Sequence, residues 1–502
     1  MTESPIRTVR ALLGGRAGPA LGAPGRADLD YAGLRAIVDG LAGALAGRGI
    51  GPGVQVAIVL PNGVEMAVAF LAVASVAVAA PLNPAYTEDE FGFYLDDLDA
   101  KWLIVAEGME TSARAAAARA GAEVLEIAAN PDAPAGAIHL AGEAAAPTLN
   151  GPEETALVLH TSGTTSRPKI VPLTAQNITA SAANIAASLA LTDRDRCLNV
   201  MPLFHIHGLI AAVLSTMEAG GAITCTPGFD ALRFFAWMRE VRPSWYTAVP
   251  TMHQAILSRA SRNAETIAEV PLRFIRSSSA SLPVPVLEEL EATFGCPVVE
   301  AYGMTEAAHQ MAANPLPPAA RKPGTVGIAA GPEVAIMDEG GTLLPQGEIG
   351  EIVIRGENVT PGYQNNDKAN AEAFSDGWFR TGDQGAIDAD GYIAIRGRLK
   401  EIINRGGEKV SPREVDDVLA AHPAVAQVVT FALPHPKLGE EVAAAIVLRD
   451  GAVAEAGEIR DFAGQSLAAF KVPRHVHFVD EIPKGATGKL QRIGLAEKLG
   501  LA

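Results

Sequence analysis

Up to about residue 230 the chain alternates short apolar runs with stretches of helical periodicity, and that alternation restricts the fold more than any other feature. Val54-Gln55-Val56-Ala57-Ile58-Val59-Leu60 reads as a buried strand closed by Pro61, and Leu103-Ile104-Val105-Ala106 as another. Leu29, Leu34, Ile37, Val38, Leu41 and Leu45 recur at helical spacing, which predicts a helix over residues 29–48. Strands alternating with helices predict an α/β layered core. Gly49-Ile50-Gly51-Pro52-Gly53 looks superficially like a dinucleotide loop, but it ends a helix instead of opening one and is discounted. The run from Met66 to Ala80 is too short to span a bilayer and ends at Pro81, so it reads as a buried helix.

At 502 residues the chain exceeds what a single core organises, so one large region and one smaller region are expected. Residues 324–396 change character. Short strand-like runs, Glu333-Val334-Ala335-Ile336-Met337, Gly350-Glu351-Ile352-Val353-Ile354-Arg355 and Gly391-Tyr392-Ile393-Ala394-Ile395, lie between Gly and Pro turns and suggest a β-rich subdomain. Near Gly397-Arg398-Leu399-Lys400 the pattern changes again. The remainder reads as a compact α+β unit with strands at 425–431, 442–448 and 476–479. The expected organisation is therefore α/β: a large N-terminal domain over residues 1–399, with its β-rich part at about 324–396, and a small domain over 400–502. Ala- and Pro-rich segments such as 131–147 read as surface connections.

The formal net charge of −17 argues against a nucleic-acid partner and against an anionic membrane. An anionic ligand must then be held by local donors. Cys197, Cys225 and Cys296 are far apart and odd in number, which disfavours disulfides and zinc knuckles and fits a reducing cytosol. Glu3, Arg7, Arg10 and Arg16 interrupt the N-terminus, leaving no apolar core for a signal peptide. A soluble, cytoplasmic protein is expected.

Five segments carry chemistry. Thr161-Ser162-Gly163-Thr164-Thr165-Ser166-Arg167-Pro168-Lys169 follows the strand Ala156-Leu157-Val158-Leu159 and packs hydroxyls, a glycine and a lysine into one turn. Such a loop offers backbone N–H groups, hydroxyl donors and a cation to a polyphosphate. It is not the G-x-x-x-x-G-K-[ST] loop, which occurs nowhere in the chain. In Glu300-Ala301-Tyr302-Gly303-Met304-Thr305-Glu306 the aromatic can stack on a base and the last carboxylate can hold Mg²⁺; alone, Tyr302 could equally be core. In Trp378-Phe379-Arg380-Thr381-Gly382-Asp383 the aspartate can take both hydroxyls of a ribose, or simply close a β-turn. Gly397-Arg398-Leu399-Lys400-Glu401 offers a guanidinium fork, although most such runs are solvated charge. Pro483-Lys484-Gly485-Ala486-Thr487-Gly488-Lys489 puts a lysine on a Gly-rich loop and in isolation would be a mobile surface segment.

In this order and spacing, the five segments resemble the adenylate-forming family of acyl-CoA synthetases, luciferases and peptide-synthetase adenylation domains. The resemblance runs from the strand at Val54 to Lys489. It implies a large domain and a small mobile C-terminal domain with ATP between them. By matching motif, Thr161, Ser162, Gly163, Thr164, Thr165 and Lys169 would hold the ATP phosphates, with Ala280, Glu300 and Ala301 also lining the nucleotide site. Tyr302 would pack on adenine, Thr305 would contact the α-phosphate, Glu306 would hold Mg²⁺, and Asp383 with Arg398 would bind the ribose. Lys400 falls at the hinge and Lys489 is the implied catalytic lysine of adenylation. After the domain turns, Arg405, Gly406 and Gly407 would come beside a channel for coenzyme A. The chain departs from the family pattern at Ser166 and Ile170, where glycine is usual, and at His160, where tyrosine is common.

The acyl pocket implied by the family is lined by residues 202–208, 277–281 and 301–309. Ala301 stands where long-chain members have glycine, so its methyl should shorten the pocket. His207, Ser279 and His309, the last one helical turn past Glu306, add hydroxyl and imidazole groups. An alkyl tail against unpaired polar groups is costly, whereas a short acid with a second polar end suits them. The alternative is that both histidines are structural, at about even odds. Residues 277–282, 300–309, 311–317, 85–87 and 404–409 resemble the oxalate–CoA ligases, which implies oxalate as the acid. Alternatives are a medium-chain or other short-chain acid–CoA ligase, a free-standing carrier-loading adenylation enzyme, and a nucleotide-binding protein without catalysis. The Lys489 loop also resembles sites where a lysine acetyltransferase silences such enzymes. The sequence leaves monomer and homodimer both open.

Overall fold

The computed structural model describes residues 7–161, 168–485 and 490–501. Ser162, Gly163, Thr164 and Thr165 of the phosphate loop, and Lys489, lie outside the described residues.

Two large sheets carry the N-terminal part. One runs, edge to edge, Ile328–Ala329, His309–Ala313, Val298–Met304, Phe274–Ser277, Trp245–Ala248, Arg196–Asn199, Ala222–Cys225, Pro19–Gly22 and Leu29–Asp30, with parallel pairing from Val298–Met304 through Pro19–Gly22. The other runs Ile138–Leu140, Glu123–Ala129, Trp102–Ala106, Gln55–Val59, Val78–Pro81, Thr155–Thr161 and Lys169–Thr174. Helix Val64–Val76 is buried on every face because it lies between the two sheets and contributes to one continuous core with strands of both. Apolar residues all round a helix of ordinary length are what such a position requires.

The predicted helix over 29–48 is Tyr31–Ala46, entered through Asp30, whose carboxylate accepts the Gly33 N–H at 2.7 Å. The expectation of one buried helix from Met66 to Ala80 needs correction. The helix ends at Val76, Ala77 is extended, and Val78–Pro81 is a strand between Gln55–Val59 and Thr155–Thr161. An apolar run fits a buried helix and a buried strand equally, and the pairing decides. Likewise residues 131–147 are not all surface: Ile138–Leu140 pairs antiparallel with Glu123–Ala129 and buries Ile138.

The β-rich expectation matches a third, antiparallel sheet of Glu333–Met337, Gly350–Arg355, Phe374–Ser375, Trp378–Ile387 and Ile393–Arg398. A fourth sheet contains Ile403–Arg405, Glu408–Val410, Val425–His435, Gly439–Leu448 and His475–Phe478, with its own core around Val415, Leu419, Val442 and Ile459. The fold is thus a large N-terminal α/β body followed by a small α+β unit. No helix among the described residues is long and apolar enough to cross a membrane.

Candidate active site

Among the described residues, strands and the turns next to them carry most of the candidate groups. Thr155–Thr161 and Lys169–Thr174 form a hairpin in which Thr161 faces Lys169 in register, so the two flanks of the phosphate loop are held together by sheet pairing. The Lys169 ammonium sits 4.2 Å from the centroid of the Tyr363 ring. The Tyr363 hydroxyl donates to Glu306 Oε1 at 2.9 Å. Burial pushes the Glu306 carboxyl up, and the Tyr363 hydroxyl, Arg398 and Lys169 oppose it. Tyr363 therefore links two groups that the sequence had assigned to ATP separately.

The turn bearing Thr305 and Glu306 is clamped from the same connecting loop. Asn358 donates to the carbonyls of Ala307 and Gln310 at 2.8 and 2.9 Å, and the Thr360 N–H donates to the Glu306 carbonyl at 2.7 Å. Here one expectation fails. His309 is not a helical turn past Glu306: the helical turn spans only Thr305–Ala307, Ala308 is left-handed, and His309 opens a strand facing Met304. It reaches the His207 ring by chain reversal. Gly303 is required for that reversal, since a Cβ there would lie 1.9 Å from the His309 carbonyl oxygen.

Strand Trp378–Ile387 places Asp383 opposite Arg398 of Ile393–Arg398. Arg398 Nε lies 3.2 Å from Asp383 Oδ1, and the Tyr302 hydroxyl donates to Asp383 Oδ2 at 2.5 Å. Asp383 holds the guanidinium above its ordinary range, and burial beside that carboxylate raises the Tyr302 hydroxyl well above its own. The three residues expected around the nucleoside thus converge on one cleft, lined also by Ala280, Glu300 and Ala301. Glu300 is wholly buried. Its Oε1 accepts the Leu282 N–H at 3.0 Å, its Oε2 has no protein partner, and burial pushes the carboxyl up to about 7.

His207 and Ser279, two of the residues expected around the acid, lie beyond the carboxyl ends of parallel strands of the larger sheet, the usual position for a ligand in an open α/β sheet; Ser279 lines the cleft, whereas His207 and His309 are buried behind it. Ser279 follows Phe274–Ser277, and His207 begins a wide π-type helix, His207–Leu214. His207 Nδ1 is 3.0 Å from Ser279 Oγ, and the His207 and His309 rings meet edge to face at 5.0 Å. Ser279 and His309 both hold positive backbone angles, φ 70° and 102°, a conformation that residues with a side chain rarely adopt.

Sequence reasoning missed Arg276. It is fully buried in mid-strand on the sheet face shared with Cys197, Trp245 and Phe274, with Thr247 its register partner. Its guanidinium meets His207 Nε2 at 3.4 Å, His309 Nδ1 at 3.5 Å and Gln310 Oε1 at 3.3 Å, and its Nε has no partner. No carboxylate among the described residues pairs with it. Burial lowers Arg276 to about 9, and burial, then positive neighbours including Arg276, keep both imidazoles well below their usual range.

The small unit closes the far side of the cleft with Arg413, Asp416, Asp417 and Arg492, and Gln254 Nε2 donates to the Ala426 carbonyl across the gap at 3.1 Å. Arg405, Gly406 and Gly407 are not in that lining. Gly406 and Gly407 form the two-residue turn of a hairpin, φ 63° and 99°, and Arg405 is paired with the buried Glu441. Lys400 is exposed, just past the last strand of the third sheet.

The cleft at Tyr302, Asp383 and Arg398, the His207–Ser279–His309 cluster and a small second unit after a large α/β body fit an AMP-forming acyl-CoA ligase. The chain belongs to the AMP-binding enzyme family, whose main domain matches residues 17–364 and whose C-terminal domain matches residues 414–489. It is 46% identical over 491 residues to an oxalate–CoA ligase of Arabidopsis thaliana, covering 94% of each chain. It is 42% identical over 475 residues to an oxalate–CoA ligase of Saccharomyces cerevisiae, covering 88% of this chain and 86% of that one. Among solved structures, ATP-bound MatB from Rhodopseudomonas palustris superposes with a TM-score of 0.89 at 32% identity, covering 98% of this chain and 99% of that one.

Proposed function

We propose that this ligase activates oxalate: oxalate + ATP + CoA → oxalyl-CoA + AMP + pyrophosphate. The observation that carries the reading is the pocket of Ser279, His207 and His309 backed by Arg276, a buried cation with no carboxylate partner among the described residues. A buried charge without a counter-ion is costly. The second carboxylate of a very short diacid supplies that countercharge while the first reacts. Ala301, with its methyl at the cleft wall, limits the length.

One carboxylate of the acid attacks the α-phosphorus of ATP, and the bond to pyrophosphate breaks. Two anions must approach, so the work of the protein is positioning and charge neutralisation. Lys489 and Thr305 serve the reacting oxygens. Thr161, Ser162, Gly163, Thr164, Thr165 and Lys169 grip the leaving pyrophosphate, and Asp383, Arg398 and Tyr302 hold the nucleoside. No cluster of three or more His, Cys, Asp or Glu that could hold a metal ion occurs among the described residues. Glu306, buried and with its carboxyl pushed up, fits as the single protein ligand of a Mg²⁺ carried mainly by phosphate oxygens. That ion would screen the phosphate charge.

The small domain, from Lys400 onward, then turns about Lys400, withdraws Lys489 and brings Arg405, Gly406 and Gly407 beside a channel for the CoA thiol. Acetylation of Lys489 by a lysine acetyltransferase would remove the charge adenylation needs. The enzyme acts in the cytoplasm as a monomer or homodimer. Pyrophosphate release over a panel of acids tests the substrate. Oxalate is expected to give the highest kcat/KM; a strong preference for octanoate would overturn the assignment.

A further inference from the structure

Besides its charge, Arg276 brings directed donors to the cluster of His207, His309 and Gln310. Guanidinium groups donate and never accept. Arg276 Nη1 faces His207 Nε2 at 3.4 Å, and Arg276 Nη2 faces His309 Nδ1 at 3.5 Å. The facing ring nitrogens must therefore carry lone pairs, which puts the proton of His207 on Nδ1 and that of His309 on Nε2. The other neighbours of His207 do not decide this. Thr247 Oγ1, 2.6 Å from Nε2, and Ser279 Oγ, 3.0 Å from Nδ1, are hydroxyls that fit either tautomer. With Nδ1 protonated, His207 donates to Ser279 Oγ, and the Ser279 hydrogen is free to turn into the cleft that Ser279 lines. With the opposite tautomer, Ser279 would spend its hydrogen on the imidazole and show the cleft a lone pair.

We propose that Arg276 is a positioning residue that polarises this relay, so that Ser279 presents a hydrogen-bond donor to the cleft and selects acids whose far end is a bare acceptor such as a carboxylate. The inference rests on the reading that the Ser279 pocket receives the far end of the acid. Oxamate tests it, since it matches oxalate in size but ends in an amide NH₂ donor. Wild type is expected to favour oxalate over oxamate by about 100-fold or more in kcat/KM, because a mismatched donor leaves buried groups unpaired. Arg276→Met should shrink that ratio at least about tenfold, chiefly through a higher KM for oxalate and with the KM for ATP unchanged. Arg276→Lys should restore part of the ratio. An unchanged ratio in folded Arg276→Met would overturn the relay while leaving oxalate activation intact.

A measurement on the unmodified full chain is independent of how the variants fold. Imidazole nitrogen-15 NMR should show the Nδ1–H tautomer for His207 and Nε2–H for His309, assigned by loss of each signal in His207→Gln and His309→Gln. Opposite tautomers would overturn the proposal. Should wild type not turn over oxalate, the substrate reading fails, and the tautomers still decide the relay.

Discussion

Replacing Tyr363 by Phe removes one hydroxyl and keeps the ring, which isolates a single hydrogen bond to Glu306 in the proposed ATP site. That hydroxyl donates to Glu306 Oε1 at 2.9 Å, where both residues are buried. A hydrogen bond to a charged group contributes about 1.5–3 kcal/mol. At about 1.4 kcal/mol per pKa unit, its loss should raise the Glu306 carboxyl by about 1–2 units. The sign follows from which form the bond favours. It stabilises the carboxylate against burial, so removing it extends the protonated form to higher pH. Because the carboxylate is the form that would hold Mg²⁺ on the proposed function, the acid limb of the rate should move up by the same about 1–2 units. Lys169 keeps its aromatic surface, 4.2 Å from the ring centroid, so the KM for ATP should change little. The assay is pyrophosphate release at saturating acid between about pH 6 and pH 9. A Tyr363→Phe enzyme slowed at low pH but recovering in alkali supports the argument. An acid limb displaced by less than about 0.3 units would refute it.

Three further outcomes are expected. Glu300, with its carboxyl raised to about 7 when folded, contributes stability that is full below about 4.5 and lost as pH rises through 7, about 3 kcal/mol in all. Glu300→Gln keeps an acceptor for the Leu282 N–H and cannot ionise, so its Tm should hold between about pH 4.5 and pH 7, where wild type declines; parallel Tm–pH curves would contradict this. Gly303→Ala puts a methyl against the His309 backbone and should cost about 2–4 kcal/mol in denaturant titration, with loss of acid activation in whatever remains folded. Ala301→Gly should gain activity toward longer acids, read from kcat/KM across a chain-length series; an unaltered series would show that another residue sets the length.

That Tyr302, Asp383 and Arg398 belong together was legible in the sequence because each sits in a local motif, and the structure brings the three to one cleft. Asp383 and Arg398 fall in separate motifs, and strand pairing then sets them opposite each other. The misses have physical causes. Tyr363 and Asn358 act on a turn more than 45 positions earlier in the chain, and nothing local marks a loop residue for such a partner. The error at His309 arose because Ala308 adopts a left-handed conformation that its side chain does not advertise. Arg276 did carry a signal: an arginine inside Phe274-Ile275-Arg276-Ser277, between apolar neighbours of a covered strand, has no route to water. Lys489 and the tip of the phosphate loop remain assigned by motif alone.

The register pair Asp383 and Arg398 has a mechanical consequence. On the proposed hinge at Lys400, that pair would stand two residues from the axle and not at the rim. A rotation about it would carry the small unit round while displacing Arg398 hardly at all. The adenylate would then stay gripped through both half-reactions, and the unstable mixed anhydride need not be released to water between them.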